Sequence, residues 1–332
     1  MKLSVVIPTY NRKDSLRRTL EGLSRQRYPH ADFEAVVVSD GSNDGTEEML
    51  ADYARTAPYS LRIICQANGG PSRARNRGIL EAQYEIIVFL DDDVEPVPEF
   101  LGRHAMHHRQ DQKIAVVGPM SPDPSRYTEE PVWIAWEHSK LQDIYALFRP
   151  GGNYAGRPAG PMHFYSGNAS VRKEWLLAID GFDESFTRQE DVELAVRIQQ
   201  TCGVSFLFDF AADGLHRPQR SFESWLRIPT AYGTFDGQRI SAGLLSWDEV
   251  KENIQKRNVA TRALASLCLA CPALLPILIK LLHRGSSMLY RTRNTSAALA
   301  ALSALYNICY INAAIRCTAT ARKGKQSSVS TS

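Results

Sequence analysis

Ile86-Ile87-Val88-Phe89-Leu90-Asp91-Asp92-Asp93 sets five apolar side chains directly before three carboxylates. An unbroken apolar run of that length, rich in β-branched and aromatic residues, fits a strand covered on both faces. Toward the N-terminus similar runs stand at Leu3 to Ile7, Glu34 to Val38 and Leu61 to Ile64. Helical patterns separate them. Leu16, Leu20 and Leu23 recur at i, i+4, i+7, and Thr46 to Ala54, Ser72 to Ala82 and Pro98 to Arg109 read as further helices. The alternation predicts a parallel α/β sheet flanked by helices.

Polar residues close the runs: Pro8-Thr9-Tyr10-Asn11, Ser39-Asp40-Gly41-Ser42 and Asp91-Asp92-Asp93. Open α/β sheets bind ligands beyond the carboxyl ends of their strands, so these segments are expected to converge on one crevice. Three adjacent carboxylates are costly without a cation. Mg²⁺ is held by one or two carboxylates plus substrate phosphates, and Asp91 and Asp93 face the same way if the chain stays extended. A solvated acidic turn or a helix cap is the plain alternative.

Asn68-Gly69-Gly70-Pro71-Ser72-Arg73-Ala74-Arg75-Asn76-Arg77-Gly78 joins a glycine turn to a helix start. Backbone amides and a guanidinium there suit an anionic or planar ligand group. The three arginines, spaced two apart, cannot all face one way on a helix. Glu190-Asp191 precedes the amphipathic run Val192 to Ile198. Acids at a helix start act as caps, which lowers their proton affinity and argues against a base unless the cleft desolvates them. Both roles stay open.

Beyond Ile114 to Gly118 comes an aromatic stretch, Val132 to Phe148, then Pro150 to Pro161, which reads as an Ω-loop or lid, or as a connector. His163 to Val171 and Val204 to Phe210 resume strand character, with Lys173 to Ile179 and Asp191 to Cys202 helical. His104, His107 and His108 read as surface residues of their helix.

The chain has 332 residues, 44% of them hydrophobic, enough for a sizeable core. Its net charge of +3 conceals an asymmetry: residues 251–332 hold twelve Lys/Arg and one acid, Glu252, leaving a balance of −8 on residues 1–250. Between these cations lie apolar stretches, Ala263 to Leu282 with Lys280 as sole charge and Ser296 to Ile315 with none. Both approach the length that crosses a bilayer, about 20 residues, so a membrane surface is preferred over nucleic acid as partner. Pro272 and Pro276 interrupt the first, and Ser303, Asn307 and Tyr310 punctuate the second, so spanning, lying in the interface and packing as a buried hairpin all stay open.

Cys268 and Cys271 form a CxxC inside an apolar run and read as buried small side chains. No secretory signal is visible before the first strand, so the Asn168 and Asn294 sequons read as chance matches.

Taken together, these segments resemble the GT-A fold, family 2 inverting glycosyltransferases. Val5 to Arg12, Val37 to Thr46, Asn68 to Gly78, Phe89 to Asp93 and Gly181-Phe182-Asp183-Glu184 with Glu190-Asp191 match the family's motifs in order over residues 1 to 220. The resemblance implies a Rossmann-like, mostly parallel sheet over residues 1–225. A C-terminal helical, partly apolar extension, 226–332, would follow, its end disordered from about 320. Pro8, Thr9, Asn11, Asp40 and Arg75 would hold the nucleoside. Asp91, Asp92 and Asp93 would serve ribose, diphosphate and an Mg²⁺ or Mn²⁺ ion, with Asp93 the direct ligand and Asp91 beside it. Asp191 would be the general base, with Glu190 second choice. Gly167 and Asn168 would line the donor-sugar and acceptor pocket. His216 would touch metal or diphosphate, or be a structural histidine.

The implied reaction moves a sugar from a nucleotide-diphosphate sugar, UDP favoured, to a hydroxyl of a glycan, lipid-linked or small-molecule acceptor, at the cytoplasmic face of a membrane. A sugar-1-phosphate nucleotidyltransferase and a non-catalytic nucleotide-sugar or glycan binding module are the alternatives.

Overall fold

The computed structural model describes residues 1–126, 130–186, 188–241 and 245–329. They form two compact units: Met1–Tyr127 with Lys140–Gln219, and Thr128–Ser139 with Arg220–Ser332. The sequence suggests a break after residue 225; in the structure the segment 128–139 groups with the tail as well.

The first unit is built on β1 (Leu3–Thr9), β2 (Phe33–Asp40), β3 (Ser60–Gln66), β4 (Ile86–Leu90), β5 (Val94–Pro96), β6 (Ile114–Val117), β7 (Met120–Pro122), β8 (Asn168–Arg172), β9 (Ser205–Phe208) and β10 (Gly214–His216). Seven of these make one sheet in the order β3-β2-β1-β4-β8-β6-β9, and β5-β10-β7 make a second. In the large sheet β8 runs against both neighbours while the other pairings are parallel. The helices of this unit are α1 (Lys13–Ser24), α2 (Thr46–Ala54), α3 (Pro71–Glu81), α4 (Phe100–Gln110), the C-terminal part of α5 (Val132–Ala146), α6 (Lys173–Leu177) and α7 (Glu190–Cys202).

Strand period 2 sorts the apolar runs between two cores. Val5, Ile7, Val37, Val88 and Leu90 pack with Leu16, Leu20 and Leu23 of α1 on one face. Val6, Val36, Ile87 and Phe89 pack with Ile79 of α3 and Leu194 and Ile198 of α7 on the other. Parallel pairing of β1 with β2 and β4 brings Thr9, Asp40 and Asp91 to one end of the sheet. The glycine-rich run after Phe148 folds onto the β9 edge, with Tyr154 N donating to Leu147 O (2.8 Å), Phe148 stacked on Phe208, and Ala159 bridged to Phe206. The loop packs on itself and on that edge.

The second unit is helical: the N-terminal part of α5, α8 (Phe222–Ser241), α9 (Trp247–Gln255), α10 (Val259–Ala270), α11 (Leu274–Arg291) and α12 (Thr295–Val329). Thr295–Thr318 is long and apolar enough to cross a membrane, yet 44% of its most apolar window is buried within the protein. Its polar residues find partners inside the unit. Trp136 Nε1 donates to Ser303 Oγ (2.7 Å), Asn307 Nδ2 to Ser303 O (2.7 Å) and Tyr310 Oη to Asp236 Oδ2 (2.6 Å). α10 ends at Cys271-Pro272, as proline requires. Cys268 is buried but Cys271 is exposed, which corrects the reading of both as buried. The α12 backbone is helical to Val329 where a disordered end is expected from 320; residues 330–332 lie outside the described ones.

The α4 histidines depart furthest from expectation. His104 and His108 are buried, because α4 lies against β8 instead of turning that face to water. Ser170 Oγ sits 2.8 Å from both His104 Nδ1 and His108 Nε2, and His104 Nε2 is 3.2 Å from Asn168 Oδ1. The Asn168 amide nitrogen already donates to Pro119 O and Ala212 O, so its oxygen can only accept. His104 therefore carries its proton on Nε2, Ser170 donates to His104 Nδ1, and His108 donates from Nε2 to Ser170. The chain closes with both rings neutral. Burial depresses His104 to about 4 and His108 to about 3. Their C2-proton NMR signals are expected to stay at neutral-imidazole positions down to about pH 5, where an unperturbed ring with a pKa of about 6.5 is already charged. Midpoints near 6.5 would contradict this network.

Candidate functional site

The turn after β4 decides how the three carboxylates are shared. Val94 N donates to Asp91 O (3.2 Å), so extension ends at Leu90 and Asp91 and Asp93 take different partners instead of pointing together. Asp91 accepts from Arg75 Nη2 (2.8 Å). Asp92 accepts from Thr9 Oγ1 (2.7 Å), and its backbone carbonyl from Thr19 Oγ1 (3.1 Å). Asp93 accepts from Arg12 Nη1 (2.7 Å), which is also 3.9 Å from Asp92. Burial, then the charge of Asp93, raises the proton affinity of Asp92 well above the usual carboxylate range. Two carboxylates this close in a dry place do not readily both ionise.

His216 reaches the same place by strand pairing. It lies opposite Val94 where β10 runs antiparallel to β5, and its Nε2 is 3.7 Å from Asp93 Oδ1. Among the described residues no group of three or more His, Cys, Asp or Glu is placed to hold a metal ion, so Asp91, Asp93 and His216 do not converge as one ligand set. An oxygen-liking ion that completes its shell with substrate phosphates needs no such set.

The Asn68–Gly78 segment divides its work by residue. Asp40, buried at the end of β2, accepts from Gly69 N (3.0 Å), Gly70 N (2.8 Å) and Gln66 Nε2 (2.7 Å), so in this structure it pins the glycine turn. Arg75 is buried, while Arg73 and Arg77 are exposed, as their spacing demands. Asn76 clamps the Gly181-Phe182-Asp183-Glu184 segment: Phe182 N donates to its Oδ1 (2.7 Å) and its Nδ2 donates to Phe182 O (2.8 Å). A Cβ at position 78 would lie 2.3 Å from Val6 Cγ1, so only glycine lets α3 press on β1. The clamp by Asn76 and the ion pair of Arg12 were not singled out from sequence. The acids that Arg12 meets lie about eighty residues away in the chain, so no local signal marks it.

Arg75 spans the crevice. Its Nη2 holds Asp91, and its Nη1 is 3.7 Å from Glu190 Oε1 at the start of α7. Nε and Nη1 are buried without a hydrogen-bond partner. Next to Glu190, Asp191 accepts from Val192 N (2.8 Å), a contact that favours the carboxylate. Burial and then the charge of Glu190 outweigh it, and Asp191 is raised to about 6. Desolvation thus overrides the capping effect.

Gly167 O accepts from Asp91 N (3.1 Å), and a Cβ on Gly167 would meet Asp91 Oδ2 at 2.7 Å, so position 167 lies directly on the carboxylate. Asn168 points the other way. Its side chain is fully buried and committed to Pro119, Ala212 and His104, which corrects the expectation that it lines the pocket; the alternation of a strand puts neighbours on opposite faces. Asn11, at φ 53°, accepts from Asn43 N (2.7 Å) and ties the β1 turn to the β2 turn, while Pro8 is half-buried on β1.

The family model described as "Glycosyl transferase family 2" matches residues 4–178. The chain is 41% identical over 97 residues to the uncharacterized glycosyltransferase YibD of Escherichia coli (strain K12), covering 29% of this chain and 27% of that one. It is 28% identical over 231 residues to a chondroitin synthase of Escherichia coli, covering 59% and 32%. The matches thus span about a third or less of these relatives' own length. The solved mannosyltransferase PcManGT from Pyrobaculum calidifontis, in complex with GDP-Man and Mn²⁺, superposes with a TM-score of 0.61 at 20% identity over 94% of this chain and 86% of that one, a likeness of fold.

Because Asp40 pins the glycine turn, Asp40→Ala should cost about 1.5–3 kcal/mol without any ligand present, the value of hydrogen bonds to a charged group. Urea unfolding measures it, and a variant as stable as the parent would contradict the assignment.

Proposed function

The chain belongs to glycosyl transferase family 2, and on that footing we propose that it moves a sugar from a nucleotide-diphosphate sugar, with UDP the favoured carrier, to an acceptor hydroxyl with inversion at the anomeric carbon. The observation that carries the reading is Arg75, which joins the strand-end carboxylates to the Glu190-Asp191 pair. A donor-side cluster and a carboxylate of raised proton affinity then share one crevice.

The crevice is rich in carboxylates, and a diphosphate is itself anionic. Arg12 and Arg75 offset part of that charge. Asp93 with His216 close by would hold a divalent ion through few protein ligands and leave its other sites to phosphate oxygens, while Asp91 stays on Arg75. When bound, Mg²⁺ or Mn²⁺ would act as a Lewis acid that neutralises the leaving diphosphate. The Mn²⁺ in the P. calidifontis complex agrees with that choice.

Asp191 accepts the acceptor's proton while the hydroxyl oxygen forms its bond to the anomeric carbon. The bond from that carbon to the diphosphate breaks on the opposite side, and its electron pair leaves with the phosphate oxygen. Glu190, paired with Arg75, is the weaker base. Gly167 keeps side-chain bulk away from Asp91, leaving room for the donor. The acceptor is a glycan, lipid-linked or small-molecule hydroxyl.

Asp191→Asn should lower turnover by about 10² to 10⁴, the usual worth of a general base, and spare donor binding by calorimetry. In the parent, kcat/KM should fall with acid as Asp191 takes up its proton near pH 6, about tenfold per pH unit below it. Normal turnover in the variant would remove Asp191 from the mechanism.

A further inference from the structure

α11 is apolar around most of its circumference. Leu275, Ile279, Leu282, Leu289 and Tyr290 pack into the helical unit's own cores. The opposite side carries Ile277, Leu281 and Met288, exposed by 55%, 63% and 69%. At 100° per residue these three, with Lys280, Arg284 and Arg291, fall within about 100° of helix circumference. The apolar residues take one half of that stripe and the cations the other.

Exposed apolar residues recur before α11 as well, across the Pro272 break. Leu267 of α10 is exposed by 52%, and Ala270, Cys271, Pro272, Ala273 and Pro276 are exposed after it. Beside Met288 lies a shallow cavity of about 350 Å³ lined by His283, Arg284, Ser287, Met288, Arg291 and Thr292. No carboxylate occurs between residues 253 and 332. A soluble surface leaves such a band uncovered at a cost in water, and a helix apolar on both faces needs a second apolar neighbour.

We infer that the outer face of α10 and α11 docks in the plane of an anionic lipid bilayer, with Leu267, Ile277, Leu281 and Met288 entering the acyl boundary and Lys280, Arg284 and Arg291 meeting headgroup phosphates. Charge complementarity selects the occupant. A second copy of the chain would bring the same cations face to face, whereas anionic headgroups complement them. Long basic side chains lay their stems on the apolar layer and keep their charge at its rim. α12 need not span, since its polar residues are satisfied inside the unit. The inference narrows the membrane expectation to one face and rests on no step of the sugar transfer.

The test is sedimentation of the full chain with vesicles of phosphatidylcholine alone or mixed with phosphatidylglycerol. The parent should pellet with the mixed vesicles, less so at high salt, and be released by alkaline carbonate. Ile277→Ser/Leu281→Ser/Met288→Ser and Lys280→Glu/Arg284→Glu/Arg291→Glu should each cut partitioning at least about tenfold, with unchanged circular dichroism. If the apolar triple variant misfolds, the charge reversal, which leaves the packed face untouched, decides alone. Failure of the parent to pellet, variants that pellet like the parent, or resistance to carbonate would each overturn the proposal. So would a dimer, seen by light scattering, that the same substitutions disperse without any vesicle binding.

Discussion

A guanidinium that is 6% exposed stands between Asp91 at 2.8 Å and Glu190 at 3.7 Å, and the crevice depends on that contact. A charge this far from water must be paired, and removing one partner of a buried pair costs far more than the pair itself contributes. Arg75 therefore fixes the carboxyl end of β4 relative to the start of α7. Asn76, the next residue, fixes the loop that leads into α7, with Phe182 packed edge-on against Phe89. Two neighbouring side chains on α3 thus register the end of β4 against the loop and first turn of α7.

The electrostatics follow from the same placement. Asp40 is spent on backbone amides, Asp92 is driven toward its neutral form, and Asp93 is balanced by Arg12. The acids of the crevice are consequently not equivalent. Asp191 holds its proton to about pH 6 because it is dry and sits beside Glu190, a value near that wanted of a base working at neutral pH. Environment, more than residue type, sets the proton affinity of each carboxylate.

Much of this was legible from residues alone, for identifiable reasons. Runs such as Val5 to Ile7 and Ile86 to Leu90 announce strands covered on both faces, and Leu16, Leu20 and Leu23 announce the helix that covers one of them. The three-residue strands β5, β7 and β10 carry no such signal, because their pairing is set by residues about a hundred positions apart. His104 and His108 look like surface polar residues until β8 closes over them. A motif gives order along the chain and not direction, so it does not tell which way Asn168 points. The backbone beside it touches Asp91, while its side chain turns into the core. The turn at Asp91 likewise ends the extension that would have aligned Asp91 with Asp93.

The central claim is that Arg75 makes one reacting site out of two walls. It is tested most directly by nucleoside diphosphate release from a panel of nucleotide sugars with Mn²⁺, comparing the parent with Arg75→Lys. Lysine keeps the charge but cannot reach both carboxylates in the planar geometry. The account predicts release by the parent and a loss of about a hundredfold in the variant, the scale expected when reacting groups shift by about an ångström. Equal release by the two proteins would contradict it.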